Sequence, residues 1–122
     1  MRKFYINKSI NFFIILALII SFSVIKTEDE DLIINGELNL RNLNLEIVNA
    51  RLFSIYYEEE VLFLNLGNNL IKKIEYDSFK DFVHLEQLYL SHNQIESIDW
   101  RIFRYLSELK KLQIDSNRLK YI

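Results

Sequence analysis

The residue types that carry out catalysis are thinly spread in this chain. His84 and His92 are the two imidazoles, there is no cysteine, and the carboxylates are scattered. A nucleophilic site needs a base held between a nucleophile and an orienting acid in one pocket. His92 lies in LSHNQI and His84 closes the run FVH, both at positions read as solvent-facing. Gly36 and Gly67 are the only glycines, too few for a phosphate-cradling loop, and no His, Asp or Glu cluster has metal-ligand spacing. The expectation is therefore no enzyme: no catalytic residue, no cofactor and no metal.

The side chains whose spacing does carry chemistry are carboxamides. Asn69, Asn93 and Asn117 follow one another at intervals of 24 residues, each after a short apolar alternation. Where a chain leaves a strand, its backbone groups lose their ladder partners, and a buried amide with two donors and an acceptor can replace them. Each asparagine is expected to serve its own unit and the next one.

What positions these asparagines is a repeat. From Val61 onward the copies read VLFLNLGNNLIKKIEYDSFKDFVH, LEQLYLSHNQIESIDWRIFRYLSE and LKKLQIDSNRLKYI, the last stopping at its fourteenth position. Apolar residues recur at the first (Val61, Leu85, Leu109), fourth (Leu64, Leu88, Leu112) and sixth positions (Leu66, Leu90, Ile114). They recur again at the eleventh (Ile71, Ile95, Leu119) and fourteenth (Ile74, Ile98, Ile122), with Phe79 and Phe103 at the nineteenth and Phe82 and Leu106 at the twenty-second. Alternation at the fourth and sixth positions predicts a short strand with one buried face. The pairs three residues apart predict a helical return along the opposite side. A single strand, turn and return cannot bury its own apolar edge, but stacked units share a core in which each large side chain contributes roughly 1.5–3 kcal/mol.

The pattern resembles that of the leucine-rich repeat family, L-x-x-L-x-L-x-x-N-x-L followed by an apolar return, closely over 61–122 and loosely over about twenty residues upstream. The resemblance implies an α/β repeat fold: a right-handed solenoid of about three and a half coils, with a parallel sheet on its concave side and short helical returns. It also implies a surface used to bind proteins and other ligands. Strands are expected near 38–40, Phe63–Asn65, Gln87–Tyr89 and Lys111–Gln113, and returns over 78–82 and 101–106.

Third and fifth strand positions then point outward. These are Phe63 and Asn65, Gln87 and Tyr89, Lys111 and Gln113, with Glu37 and Asn39 in the first unit; Leu62 borders them and Gly67, Asn68, Ser91, His92, Asp115 and Ser116 flank them. The candidate binding set is Leu62, Phe63, Asn65, Gln87, Tyr89, His92, Lys111 and Gln113. Phe63 and Tyr89 are expected to share one apolar patch with a polar rim, as interface anchors do. Trp100 is expected to pack on the convex side.

Composition narrows the rest. The chain has 122 residues, 50% hydrophobic and 26% charged, which is globular, and without cysteine it has neither a disulfide framework nor a thiolate metal site. A net charge of −2, with Lys110 and Lys111 the only cations near the strand face, gives no case for nucleic acid. The expected partner is a protein.

Residues 1–23 carry Arg2, Lys3 and Lys8 ahead of FFIILALIISF, the pattern of a secretory signal. Ser21 and Ser23 place cleavage after Ser23. The alternative is a membrane tether by an uncleaved signal anchor, but the run from Phe12 to Ile25 is fourteen residues and holds two serines, short of the ~20 that span a bilayer. No stable span is expected after cleavage. Loss of the three cations takes the formal charge from −2 to −5. Residues 24–31 read as a disordered charged spacer. Residues 32–60 read as a divergent capping repeat with Leu38 and Leu40 on its strand, Leu45 and Val48 after the turn, Phe53 and Tyr56 on the return, and Leu43 in the asparagine's place. The repeats proper occupy 61–84, 85–108 and the partial 109–122.

The expected function is a secreted, extracellular protein-binding module. The competing expectations are an assembly role, with the apolar edge near Ile114, Leu119 and Ile122 pairing two copies end to end, and a truncated product of a longer receptor-like chain. Tyr57 beside Glu58, Glu59 and Glu60 is a candidate for sulfation, and the one N-glycosylation sequon, Asn7-Lys8-Ser9, lies within the signal. Mass spectrometry of the secreted chain checks these readings together. The expected mass begins at Val24; an uncleaved chain would restore the tether, and an absence of a further ~80 Da would remove Tyr57 from consideration.

Overall fold

The computed structural model describes residues 33–56 and 58–120. The expected signal over 1–23, the spacer over 24–31, Tyr57 and Ile122 lie outside the described residues.

Strands β2 (Glu37–Asn39), β4 (Phe63–Asn65), β6 (Gln87–Tyr89) and β7 (Lys111–Gln113) pair in parallel and in register, so that Leu38, Leu64, Leu88 and Leu112 stand side by side. The last three strands have the expected bounds. The first occupies 37–39 rather than 38–40, because in every unit the third to fifth positions form the ladder and the sixth turns inward beyond it, as Leu40 does at 4% exposure. The sheet gains a fifth strand that the repeat does not encode. β1 (Ile33–Ile34) runs antiparallel to β2, turning through Asn35 (φ 53°) and Gly36 (φ 79°). Two positive φ values match the turn that asparagine–glycine pairs favour in hairpins. A Cβ on Gly36 would stand 3.0 Å from Leu62, so glycine is also needed for the close approach.

The return halves form a second, two-stranded parallel sheet, β3 (Ile47–Val48) with β5 (Lys73–Ile74). No α-helix occurs among the described residues; the returns are 3-10 helices at Ala50–Phe53 and Trp100–Tyr105. Over 78–82 the expected helical return is a series of turns, with Ser78, Lys80 and Phe82 donating to the carbonyls of Glu75, Asp77 and Phe79. The side chains of Asn49 and Asp99 cap the two 3-10 helices by accepting from Leu52 N and Arg101 N.

The core lies between the two sheets' inward rows. Leu38, Leu64 and Leu88, then Leu40, Leu66 and Leu90, then Leu45, Ile71 and Ile95 are all buried. On the return side Phe53, Phe79 and Phe82 meet edge-on or tilted, with centroids 4.8–6.0 Å apart. In the next return Leu106 is buried as expected, but the other buried residue is Ile102 rather than Phe103, which is only half-buried against the core. Phe79 is packed by the ring of the preceding unit, whereas no later return covers Phe103 among the described residues. The residue equivalent to Ile102 is Ser78, buried with its hydroxyl 2.9 Å from Val48 O and 2.6 Å from Glu75 O. Trp100 does not pack on the return side as expected. It opens a 3-10 helix and is 74% exposed.

The asparagines form a ladder, but it runs backwards from the expected direction. Asn93 Nδ2 donates to Leu90 O and Ser91 O in its own unit and to Leu66 O in the preceding one, and its Oδ1 accepts from Ile71 N at 2.9 Å. Asn117 repeats this on Ile114 O, Leu90 O and Ile95 N. Asn69 reaches back to Leu40 O and accepts from Leu43 N and Leu45 N. Thus Leu43 can stand in the asparagine's place, because Asn69 of the following unit supplies an amide to Leu40 O and accepts from Leu43 N and Leu45 N. Surface contacts follow the same offset: the ion pairs Lys72–Glu46, Lys110–Glu86 and Lys120–Glu96, and the hydrogen-bond contact of His84 Nδ1 with Glu108, each link adjacent units. All lie at the surface, only Glu86 being half-buried, and such pairs are worth about 0–1 kcal/mol.

Replacing Asn93 by leucine leaves a turn's amide and carbonyls buried without partners, and chemical denaturation should show a loss on the order of 2 kcal/mol. At Asn117, which is half-buried, water can substitute, so the same change should cost less. Equal or negligible losses at both positions would contradict the ladder.

Candidate functional site

Strand register arranges the outward face in two rows. One row runs Ile34, Glu37, Phe63, Gln87, Lys111, and the other runs Asn39, Asn65, Tyr89, Gln113. The first begins apolar. Ile34 is 62% exposed at the end of the hairpin, and Leu62 lies against Gly36 one step away. Sequence reasoning missed Ile34, and the Asn35-Gly36 pair was the signal that would have found it. The second row is almost entirely carboxamide.

Phe63 is flanked in the sheet by Glu37 and Gln87, and Tyr89 by Asn65 and Gln113, so the two rings stand on adjacent strands two residues apart. Both are half-buried. The Tyr89 hydroxyl donates to Gln87 Oε1, and Lys111 Nζ stands 5.2 Å over its ring. The ring–ring contacts among the described residues all belong to Phe53, Phe79 and Phe82, so Phe63 and Tyr89 stand on neighbouring strands without their rings meeting.

Beyond the C-terminal ends of the strands the chain makes a tight bend in every unit. The eighth-position residues Asn68, His92 and Ser116 have φ of 52°, 59° and 56°, and Asn42 matches them at 58°. This left-handed conformation costs an L-residue other than glycine roughly 1–2 kcal/mol, least for asparagine. Before it, Gly67 N donates to Asn65 Oδ1, and a Cβ on Gly67 would come within 3.1 Å of that oxygen. The bends and the second row enclose an open cleft of about 320 Å³, lined by Arg41, Asn65, Gly67, Asn68, Tyr89, Ser91, His92, Gln113 and Asp115. Four of the eight candidate residues, Asn65, Tyr89, His92 and Gln113, therefore meet in one place. Leu62, Phe63, Gln87 and Lys111 lie outside it.

The cleft's charges are few. Ser91 Oγ donates to Asp115 Oδ1 at 2.5 Å, and this bond holds the carboxyl below its usual range, with Ser116 and the nearby His92 acting in the same sense. Arg41 brings one cation that no repeat pattern predicts. Ser91, His92 and Asp115 are together, but the serine is bonded to the acid and no bond joins it to the imidazole, so the trio lacks the connectivity of a nucleophilic site. Among the described residues no group of three or more His, Cys, Asp or Glu side chains is placed to hold a metal ion, and no helix is long and apolar enough to cross a membrane.

On the return side a second cleft, about 440 Å³, is lined by Lys72, Lys73, Tyr76, Asp99 and Arg101, among others. Arg101 stands 5.0 Å over the Tyr76 ring and bonds both oxygens of Asp99, whose carboxyl falls to about 2. The acidic segment Glu58–Glu60 is a single 3-10 turn in which burial pushes Glu58 up, and burial likewise raises the phenol of the neighbouring Tyr56.

A sequence model described as leucine rich repeat matches residues 61–120. Osteomodulin of Rattus norvegicus is 44% identical over 59 residues, covering 47% of this chain and 14% of that protein. Lumican of Coturnix japonica is 41% identical over 61 residues, covering 48% and 18%. Tsukushi-A of Xenopus laevis is 34% identical over 85 residues, covering 70% and 24%. The chain thus matches about a quarter or less of the length of each of these relatives.

His92 occupies a position set by backbone geometry. His92→Gly should therefore hold or raise stability, by up to ~1 kcal/mol, because glycine adopts positive φ without strain. A clear loss in chemical denaturation would mean that the imidazole itself makes a stabilising contact.

Proposed function

A member of the leucine-rich repeat family through residues 61–120, this chain is, we propose, a secreted recognition module that binds a protein partner on the concave face of a right-handed solenoid of about three and a half coils. The observation that carries the reading is the apolar end of the outward sheet face. Phe63 stands on the strand next to the half-buried Tyr89 with Leu62 at its edge, and the exposed Ile34 lies farther along the same row beyond Glu37, with polar residues around them. Aromatic anchors inside a polar rim are the usual energetic centre of a protein interface. The signal pattern over 1–23 supports the extracellular location. The sparse and mutually balanced charges of the face support a protein surface over a polyanion.

Self-association is the second reading. Leu112 is 38% exposed on β7, whereas its counterparts Leu64 and Leu88 are fully buried, and Leu109, Ile114 and Leu119 are half-buried. An apolar strand edge of this kind suits pairing with a second copy. Light scattering separates the two readings, since a monomer at micromolar concentration removes the second.

Phe63→Ala combined with Tyr89→Ala should abolish capture of the partner from extracellular fluid, a loss of ~2–4 kcal/mol or a hundredfold and more in affinity. Melting should move by only a few degrees, since neither ring belongs to the buried core. Normal capture by the double variant would refute the patch.

A further inference from the structure

We propose that the cleft beyond the strand ends is a saccharide-binding subsite, one that takes a neutral, hydroxyl-rich ligand. The proposal rests on the reading that the outward sheet face is the binding surface, and it assigns the polar half of that face.

The cleft's hydrogen-bonding groups are carboxamides with spare capacity. Asn65 spends its Oδ1 on Gly67 N, which leaves its Nδ2 free to donate. The side chains of Asn68 and Gln113 make no hydrogen bond among the described residues. Each carboxamide donates through nitrogen and accepts through oxygen, and each sugar hydroxyl does both as well. A wall of such groups is therefore matched by a ring of vicinal hydroxyls better than by an ion, which only donates or only accepts. Charge points the same way. Arg41 and Asp115 stand in one cleft with opposite signs, and Asp115 is already held ionised by Ser91. A phosphate or sulfate would meet the carboxylate, and an ammonium group would meet the guanidinium.

Geometry supports a small ring rather than an apolar side chain. The volume of about 320 Å³ lies at the lower end of small-ligand clefts, but more of its lining is polar than apolar. Tyr89 supplies the aromatic wall against which the C–H face of a sugar can lie. Its hydroxyl is committed to Gln87, which fixes the ring's orientation without a ligand. Gly67 keeps the floor open, since a Cβ there would press on Asn65 Oδ1.

The test uses the full chain, labelled with nitrogen-15 and titrated with the methyl glycosides of glucose, galactose, mannose and N-acetylglucosamine. At least one should shift the side-chain amide signals of Asn65, Asn68 and Gln113 saturably at millimolar concentration. Asn68→Gly, which retains the positive φ, and Gln113→Ala should each weaken that sugar's binding at least tenfold with unchanged melting. No shift at these three amides with any of the four glycosides would overturn the proposal, and so would shifts that persist undiminished in both variants. If the sugars fail while the Phe63→Ala and Tyr89→Ala variant still loses its protein partner, the saccharide subsite falls and the protein-binding face stands.

Discussion

The buried carboxamide of the ninth repeat position is the constraint on which the fold depends. At the end of each short strand the chain bends sharply, and the carbonyls of the sixth and seventh residues point inward without ladder partners. Asn69, Asn93 and Asn117 meet those carbonyls and reach across to the unit before. The exchange is worth little in net free energy when made, about 0.5–1.5 kcal/mol per bond, and much more when one partner is missing. It therefore acts as a selector of register. A slip of one residue would bury leucine where amides are needed and turn the amide toward solvent.

That amide also fixes the outward face. Because the bend is tied by such an amide, from its own ninth position in the later units and from Asn69 of the following unit in the first, the eighth position takes left-handed backbone in all four units, from Asn42 to Ser116. The bend in turn brings the seventh- and eighth-position side chains up beside the strand ends, where they enclose the polar cleft with Asn65, Tyr89 and Gln113. The core and the candidate site are thus two sides of one turn. The ion pairs between adjacent units lie on top of this arrangement and, being exposed, decorate the register rather than set it.

Stacking order gives the units unequal roles. Each asparagine bonds the unit before it as well as its own, so the first unit is served by Asn69 of the second, and Leu43 takes the place as a half-buried apolar residue. At this end the antiparallel β1 strand covers the edge of β2, and its turn receives Leu62 over Gly36. In the last described unit the same row of leucines is less covered, and Leu112 is partly exposed. A solenoid whose stability is a sum over neighbouring interfaces is expected to show such a gradient from the middle outward.

The repeat register, the three later strands, the ladder asparagines and nearly all core positions were legible in the sequence alone. Each follows from a local period: an alternation of two along a strand, a recurrence of 24 along the stack, and the rule that inward positions are apolar. Other features were decided only by the tertiary structure, because they depend on what an adjacent unit presents. The direction of the asparagine ladder is set by which neighbour's carbonyls lie within reach of Nδ2. The choice of Ile102 over Phe103 for burial is set by whether another return packs above it. The pairing of β3 with β5, the exposure of Trp100, and the meeting of Arg41 with Asn68, Gln113 and Asp115 in one cleft have the same origin. A period states which residues are equivalent, and only the stacked chain states which of them touch.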